Sequence, residues 1–301
     1  MQTDAQKIYN SPVTWELNNG RLFSFAVARL DALHPFVSGN KFFKLKYNLQ
    51  RAIAENKQGI VTMGGAYSNH LAATAWACYE NELTSVGIIR GEIGEPLNNT
   101  LLFCQQHGMK LIAVDRNQYH RSSAVVQQII AEHDQYFFVP EGGDNEEGLQ
   151  GCTEIRSSLK DADSFTHIVC SIGTGTTFQG ICRAAASHQT VVGIPVLKIK
   201  EEDRLSFQQQ HISSVSAAKQ QIFFEYAGAG YAKTSAQQLD FMNLFYQKTG
   251  IPTDIVYTGK LMQAVLQLAE QNFFTATDKV VVLHTGGLQG NNSIAEGRLL
   301  F

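Results

Sequence analysis

The chain has 301 residues, 44% of them apolar, which is enough for an extensive core in one large domain or two of ordinary size. A formal net charge of -3 leaves no basic footprint for nucleic acid, and no apolar run reaches the roughly 18 residues needed to cross a bilayer. Five cysteines, an odd number without Cys-x-x-Cys spacing, read as reduced, mostly buried thiols of a cytosolic protein rather than disulfides or metal ligands.

The opening Met-Gln-Thr-Asp-Ala-Gln lacks the basic and apolar regions of a signal peptide. Pro12, Val13, Trp15 and Leu17 alternate like a strand that turns at Asn18-Asn19-Gly20, and residues 22–30 form a second strand. Phe42, Leu45, Leu49, Ala52 and Ile53 recur at helical spacing, with Asn40 placed to cap the helix. Residues 59–63 read as a short buried strand closed by Gly64-Gly65-Ala66-Tyr67, with a helix starting near Ser68. Strands are predicted at 83–89, 109–114 and 136–139, and helices at 98–107 and 124–132.

In the second half, a helix at 151–160 precedes a strand at 167–172. That strand meets the turn Gly173-Thr174-Gly175-Thr176-Thr177 and a helix at 178–186. A strand at 190–197 is followed by helices at 202–210 and 213–219. Residues 222–224 lead to Gly228-Ala229-Gly230-Tyr231 and a further helix. Tyr257-Thr258-Gly259-Lys260 opens a helix, and a last strand at 279–283 stops at His284-Thr285-Gly286-Gly287. Strands alternating with helices throughout predict an α/β fold with parallel sheets. Ligands in such sheets bind beyond the carboxyl ends of strands. The turns after Met63, Ile172, residues 222–224 and Leu283 meet that condition.

The helix cap sets Lys41 at the first helical position and Lys44 one turn on. A helix N-terminus carries partial positive charge and like charges three apart repel, so both lysines act against stability. They either point into water, or Lys41 works as a neutral amine beside an anion held by the helix end and Lys44. The turn 173–177 either is a plain tight turn or presents backbone N–H groups and hydroxyls to an anion, most naturally a phosphate. It is not a dinucleotide fingerprint, since Phe178 takes the third glycine position, nor a Walker A loop, since no Gly-Lys-Ser/Thr follows. In Gly64-Gly65-Ala66-Tyr67-Ser68-Asn69-His70 the serine either caps the helix or contacts a ligand, leaving Asn69 and His70 exposed in the plainer case. The missing Gly-x-Ser-x-Gly argues against a serine hydrolase there. Together, a reactive lysine at a helix start and a phosphate turn suit pyridoxal phosphate, whose aldehyde needs the one and whose phosphate needs the other.

Gly39-Asn40-Lys41 with Lys44-Leu45, Gly64-Gly65-x-x-Ser68-Asn69, Gly173-Thr174-Gly175-Thr176, Tyr257-Thr258-Gly259-Lys260 and His284-Thr285-Gly286-Gly287 occur in that order. This pattern resembles the 1-aminocyclopropane-1-carboxylate deaminase and D-cysteine desulfhydrase family of pyridoxal-phosphate enzymes. The resemblance implies the tryptophan synthase β-subunit fold, fold type II. Residues 1–50 and 152–301 would form a large cofactor-binding domain and 51–151 a small α/β domain, with the cofactor in the cleft between. It further implies that Lys41 carries the cofactor, that Asn69 bonds its ring hydroxyl, and that Ser68 sits near the substrate carboxylate and the labile proton. Gly173, Thr174, Gly175, Thr176 and Thr177 would hold the phosphate with Lys44. Tyr257 would lie against the pyridine ring with Tyr231 nearby, and Thr285 would approach the ring nitrogen. A homodimer acting on a small amino acid is implied as well.

Thr258 and Thr285 stand where deaminases of the family resemble one another in having glutamate and leucine, which is the desulfhydrase-like choice. A carboxylate keeps the pyridine nitrogen protonated, whereas threonine leaves it more nearly neutral. The weaker electron sink still supports loss of the Cα proton and expulsion of a good β-leaving group, while opening a cyclopropane demands more. Phe43, His70 and Ala232-Lys233-Thr234 depart from the better-known members. The expected activity is α,β-elimination giving pyruvate, ammonia and sulfide. Cyclopropane deamination, or cofactor binding with little turnover, are the alternatives.

Overall fold

A computed structural model describes residues 8–301; the opening hexapeptide lies outside them. The first half comprises β1 (Asn10–Glu16), β2 (Leu22–Arg29), α1 (Asn40–Ala54), β3 (Gly59–Gly64), α2 (Asn69–Glu80), β4 (Thr84–Arg90), α3 (Asn99–Gln106), β5 (Met109–Val114), α4 (Ala124–Glu132) and β6 (Tyr136–Val139). The second comprises α5 (Glu146–Ser158), β7 (His167–Ile172), α6 (Thr176–Ala184), β8 (Thr190–Pro195), α7 (Glu201–His211), β9 (Lys219–Ile222), α8 (Ala236–Thr249), α9 (Thr258–Glu270) and β10 (Val280–His284).

One sheet has the order β1-β2-β10-β7-β8-β9, and every pairing in it except β1 with β2 is parallel. The other, β5-β4-β3-β6, is parallel throughout. Strands buried on both faces read as continuous apolar runs, and β3 and β10 are buried along their whole lengths. The period of two then assigns faces. In β7, Ile168, Cys170 and Ile172 join the core under α1, α5 and α6, with Leu45, Leu49, Ile155 and Phe178. Val169 points the other way, to Phe245 of α8 and Leu261, Val265 and Leu268 of α9. In the smaller sheet, Val61 and Met63 pack on Val126 and Ile129 of α4.

The start of α1 is docked onto the turn after β10, where Asn40 N donates to Thr285 O at 3.0 Å. Gly39 makes this possible: its φ is 68°, and a Cβ there would stand 1.7 Å from Thr285 O. This corrects the expected cap. Gly39 takes the N-cap position and Asn40 is already helical, so Lys41 is the second helical residue. The Asn40 side chain instead donates to Thr177 Oγ1 at 2.8 Å, tying α1 to the turn after β7.

Two further expectations differ from the fold. The helix expected at 151–160 begins at Glu146, because Asn145 Oδ1 accepts from Gly148 N and two glutamates occupy the favourable first turn. Residues 213–218 are not helical: Ser213 N donates to Gln220 Oε1 and Gln220 Nε2 returns to Ser213 O, so side chains satisfy the backbone and lead into β9.

Candidate active site

A cavity of about 370 Å³ opens at the carboxyl ends of the strands of both sheets. Lys41, Lys44, Ser68, Asn69, Gly173, Thr174, Gly175, Thr177, Tyr231, Tyr257 and Thr285 line it, so residues spread over nearly the whole chain meet in one place. Thr176 is the exception. It does not line the cavity: its hydroxyl donates to Asp144 Oδ1 at 2.6 Å and lies 3.0 Å from that of Thr174, which does.

Burial, and next the positive charge of Lys44, draw the Lys41 pKa from 10.5 down to about 7. Cys152, Glu141 and Asp144 only partly oppose this. A substantial fraction of Lys41 is therefore a neutral, nucleophilic amine near neutral pH. Lys44 is buried too. Its ammonium donates to Gly142 O at 2.9 Å and reaches Thr174 Oγ1 at 3.4 Å, joining the turn after β6 to that after β7.

The turn after β7 is a cradle of bare backbone. Gly175 caps α6 with φ 92°, and a Cβ on it would stand 1.9 Å from His211 Cδ2. His211 is itself fixed, stacked on Phe207 with Nδ1 2.8 Å from Phe207 O. A Cβ on Gly173 would stand 3.0 Å from Tyr257 Cε1, so the ring of Tyr257 lies directly over that glycine.

Ser68 caps α2, its Oγ accepting from His70 N at 3.2 Å and Leu71 N at 3.3 Å. Both bonds use lone pairs, so the hydroxyl proton stays free for the cavity. Asn69 is braced by the turn after β10: Nδ2 donates to Gly287 O and Oδ1 accepts from Gln289 N. His70 is not exposed, as the plainer reading of that turn has it. It is buried with Nε2 2.9 Å from Thr62 Oγ1, and Thr62 donates its one proton to Val139 O. Nε2 is therefore the donor to Thr62. Burial, Lys41 and Lys44 hold the ring neutral, with a pKa well below the usual histidine value.

Tyr231 and Tyr257 meet edge to face, their hydroxyl oxygens 3.4 Å apart. Thr258, singled out in the sequence with Thr285, does not reach the cavity. It exchanges hydrogen bonds with Asp254, donating to Oδ1 at 2.8 Å and accepting from Asp254 N at 2.7 Å. The buried Asp254 carboxylate also accepts from Val256 N, Tyr257 N and Thr258 N, which fixes the start of α9 and the Tyr257 backbone. His284 is a buried support as well, 2.7 Å from Pro252 O and 3.3 Å from Asp31.

The sequence reading missed the turn after β6, which contributes Glu141 and Gly142, and it missed Arg90 at the end of β4. Pro140-Glu141-Gly142-Gly143 follows a predicted strand, the same signal that marks the other turns. Arg90 carries no local signal.

A family model described as pyridoxal-phosphate dependent enzyme matches residues 8–286. The chain belongs to this family. Its relatives include a putative 1-aminocyclopropane-1-carboxylate deaminase of Thermotoga maritima, 29% identical over 89% of this chain and 90% of that protein. A D-cysteine desulfhydrase of Yersinia enterocolitica is 25% identical, covering 87% and 86%. Among solved structures, a 1-aminocyclopropane-1-carboxylate deaminase homologue superposes with a TM-score of 0.76 at 22% identity, over 95% and 90% of the two chains. The fold is thus that of fold type II, and the chain is a pyridoxal-phosphate-dependent enzyme.

The side chains fit that cofactor. Lys41 offers a neutral amine for the aldehyde. Lys44, Thr174 and the first turn of α6 meet at the turn after β7, where Tyr257 and His211 pack so closely on Gly173 and Gly175 that only glycine fits, leaving backbone N–H groups and hydroxyls suited to a phosphate. Tyr257 supplies a flat face beside them.

Proposed function

We propose that the chain is a lyase carrying out α,β-elimination on a small amino acid of the D-cysteine kind, giving pyruvate, ammonia and sulfide. The observation that carries this reading is Thr285. It lines the cavity where the deaminases are expected to carry leucine, and Thr258, in place of their glutamate, is bound to Asp254, so neither position offers an acid to hold the pyridine nitrogen protonated. That choice favours expulsion of a thiolate over opening of a cyclopropane. Bound cofactor supplies a sink for the charge that develops at Cα when its proton leaves.

The protein's own groups do the rest. The N-terminus of α2 and the free hydroxyl of Ser68 receive the substrate carboxylate. Lys41, once its amine is released, accepts the Cα proton. The Cβ–S bond then breaks with its electron pair passing to sulfur, and the paired hydroxyls of Tyr231 and Tyr257 hold a proton within reach of the departing group. Water converts the released aminoacrylate to pyruvate and ammonia. Asn69, braced against Gly287, would orient the ring through its hydroxyl, and Lys44, held at Gly142 O, would anchor the phosphate with residues 173–177. The same reading takes residues 1–50 with 152–301 as the cofactor domain and 51–151 as the small one, in a cytosolic homodimer.

The test is a panel of small amino acids in both enantiomers, read as keto acid and sulfide. Pyruvate and sulfide from D-cysteine support the proposal. The name of the Thermotoga relative favours a second reading, and 2-oxobutyrate from the cyclopropane substrate with no product from cysteine establishes it instead. An absorbance band that Lys41→Ala abolishes, with no product from any substrate, leaves binding without turnover.

A further inference from the structure

Lys260 is a buried ammonium that the chemistry above leaves unused. It is 2% exposed and sits in the first turn of α9, where the helix end disfavours a cation. Burial draws its pKa down to about 8, with Asp254 opposing. An apolar residue of similar length avoids both costs, so the charge needs a reason. Its one hydrogen-bond acceptor among the described residues is Gly230 O, contacted across 30 positions of sequence.

Gly230 belongs to a turn with little else to hold it. Gly228, Gly230 and Ala232 all have positive φ, at 60°, 104° and 52°. The turn's own bonds are Gly230 N to Ala227 O and Lys233 N to Gly230 O. A Cβ on Gly228 would lie 3.8 Å from Lys260 Cε, so the lysine stem runs along the turn before its nitrogen reaches the carbonyl. The next residue is Tyr231, 46% exposed, lining the cavity with its hydroxyl 3.4 Å from that of Tyr257. Tyr257 is held through its backbone N–H by Asp254, which also accepts from Thr258 N at the start of the helix that carries Lys260. The start of α9 therefore fixes one tyrosine through its cap and the other through its lysine.

We propose that Lys260 is a positioning residue whose hold on the Gly230 carbonyl sets the Tyr231 hydroxyl against that of Tyr257, shaping the side of the cavity that meets the leaving group. The part played by the tyrosines rests on the elimination reading; the clamp does not.

Two measurements separate them. In cofactor-free protein, Lys260→Met should speed amide hydrogen exchange over residues 227–233 at least about tenfold. Exchange in β7, β10 and the body of α9 should stay unchanged. Unaltered exchange at 227–233 overturns the clamp whatever the enzyme does. With cofactor and a substrate from the panel, Lys260→Met should lower kcat/KM about tenfold in the parent, yet by under twofold in a Tyr231→Phe background. Equal losses in both backgrounds overturn the positioning role. If Lys260→Met does not fold, Lys260→Gln, which keeps a neutral donor, takes its place in both arms with smaller changes expected in the same segment. Absence of product from the whole panel refutes the elimination reading and leaves the exchange result to decide the clamp.

Discussion

Replacing Lys41 by methionine tests whether the site is built at the expense of stability. The lysine is drawn from 10.5 to about 7 by burial and by Lys44. That difference corresponds to roughly 4–5 kcal/mol against the charged form in the folded, cofactor-free chain. Between these two values the unfolded chain binds the Lys41 proton and the folded chain increasingly does not. Stability contributed by this group therefore rises with pH from about 7 to 10.5. Methionine has similar length and no proton to lose. Lys41→Met should then stabilise the cofactor-free protein by about 2–4 kcal/mol at pH 6–7, with the advantage shrinking as pH approaches 10. Urea unfolding of both proteins at pH 6, 7, 8 and 9.5, all stripped of cofactor, measures the gap. An advantage that does not narrow with pH, or a parent more stable at pH 6, refutes the view that Lys41 is held as a strained, partly neutral amine.

Gly175→Ala places a Cβ against His211 in a left-handed conformation. It should cost about 2 kcal/mol or more in urea unfolding and weaken cofactor binding by titration; unchanged affinity contradicts the phosphate assignment. Ser68→Ala removes the α2 cap and should lower cofactor-free stability by about 1 kcal/mol, while kcat/KM on a panel substrate falls by more than that loss explains. If only stability drops, Ser68 is a cap and nothing else. Asp254→Ala strips the acceptor from Val256, Tyr257 and Thr258 N–H and should cost about 3–5 kcal/mol. A change under 1 kcal/mol in unfolding shows that the α9 cap does not organise this side of the site.

Much of this architecture was legible because it rests on local signals. The short apolar segments of β7 and β10, alternating with helices and each stopped by a glycine turn, point to the parallel sheet and to the ends where ligands bind. The adverse lysines of α1 single out the segment in which burial and Lys44 draw the Lys41 pKa down to about 7. Other features depend on partners distant in sequence. The α1 cap was misread because Asn40 is recruited by Thr177 and Gly39 by Thr285, and neither contact can be read from the residues beside them. Thr258 and Thr285 looked equivalent along the chain, yet Asp254, four residues before Thr258, turns only that one away from the cavity. Helix spacing makes Lys44 a candidate phosphate partner but does not reveal its place between two turns. Its bond to Gly142 came from a turn that offered only backbone. His70 was similarly hidden, because its partner Thr62 lies on a strand whose facing could not be assigned locally.

The central claim is that Lys41, and no other lysine of the cavity, carries the cofactor. Borohydride reduction of the cofactor-loaded protein, followed by proteolysis and mass mapping of the pyridoxyl group, tests it most directly. The account predicts the label on Lys41 in the peptide spanning the start of α1, and none after Lys41→Met. A label on Lys44 or Lys260, or one that persists in that variant, contradicts it.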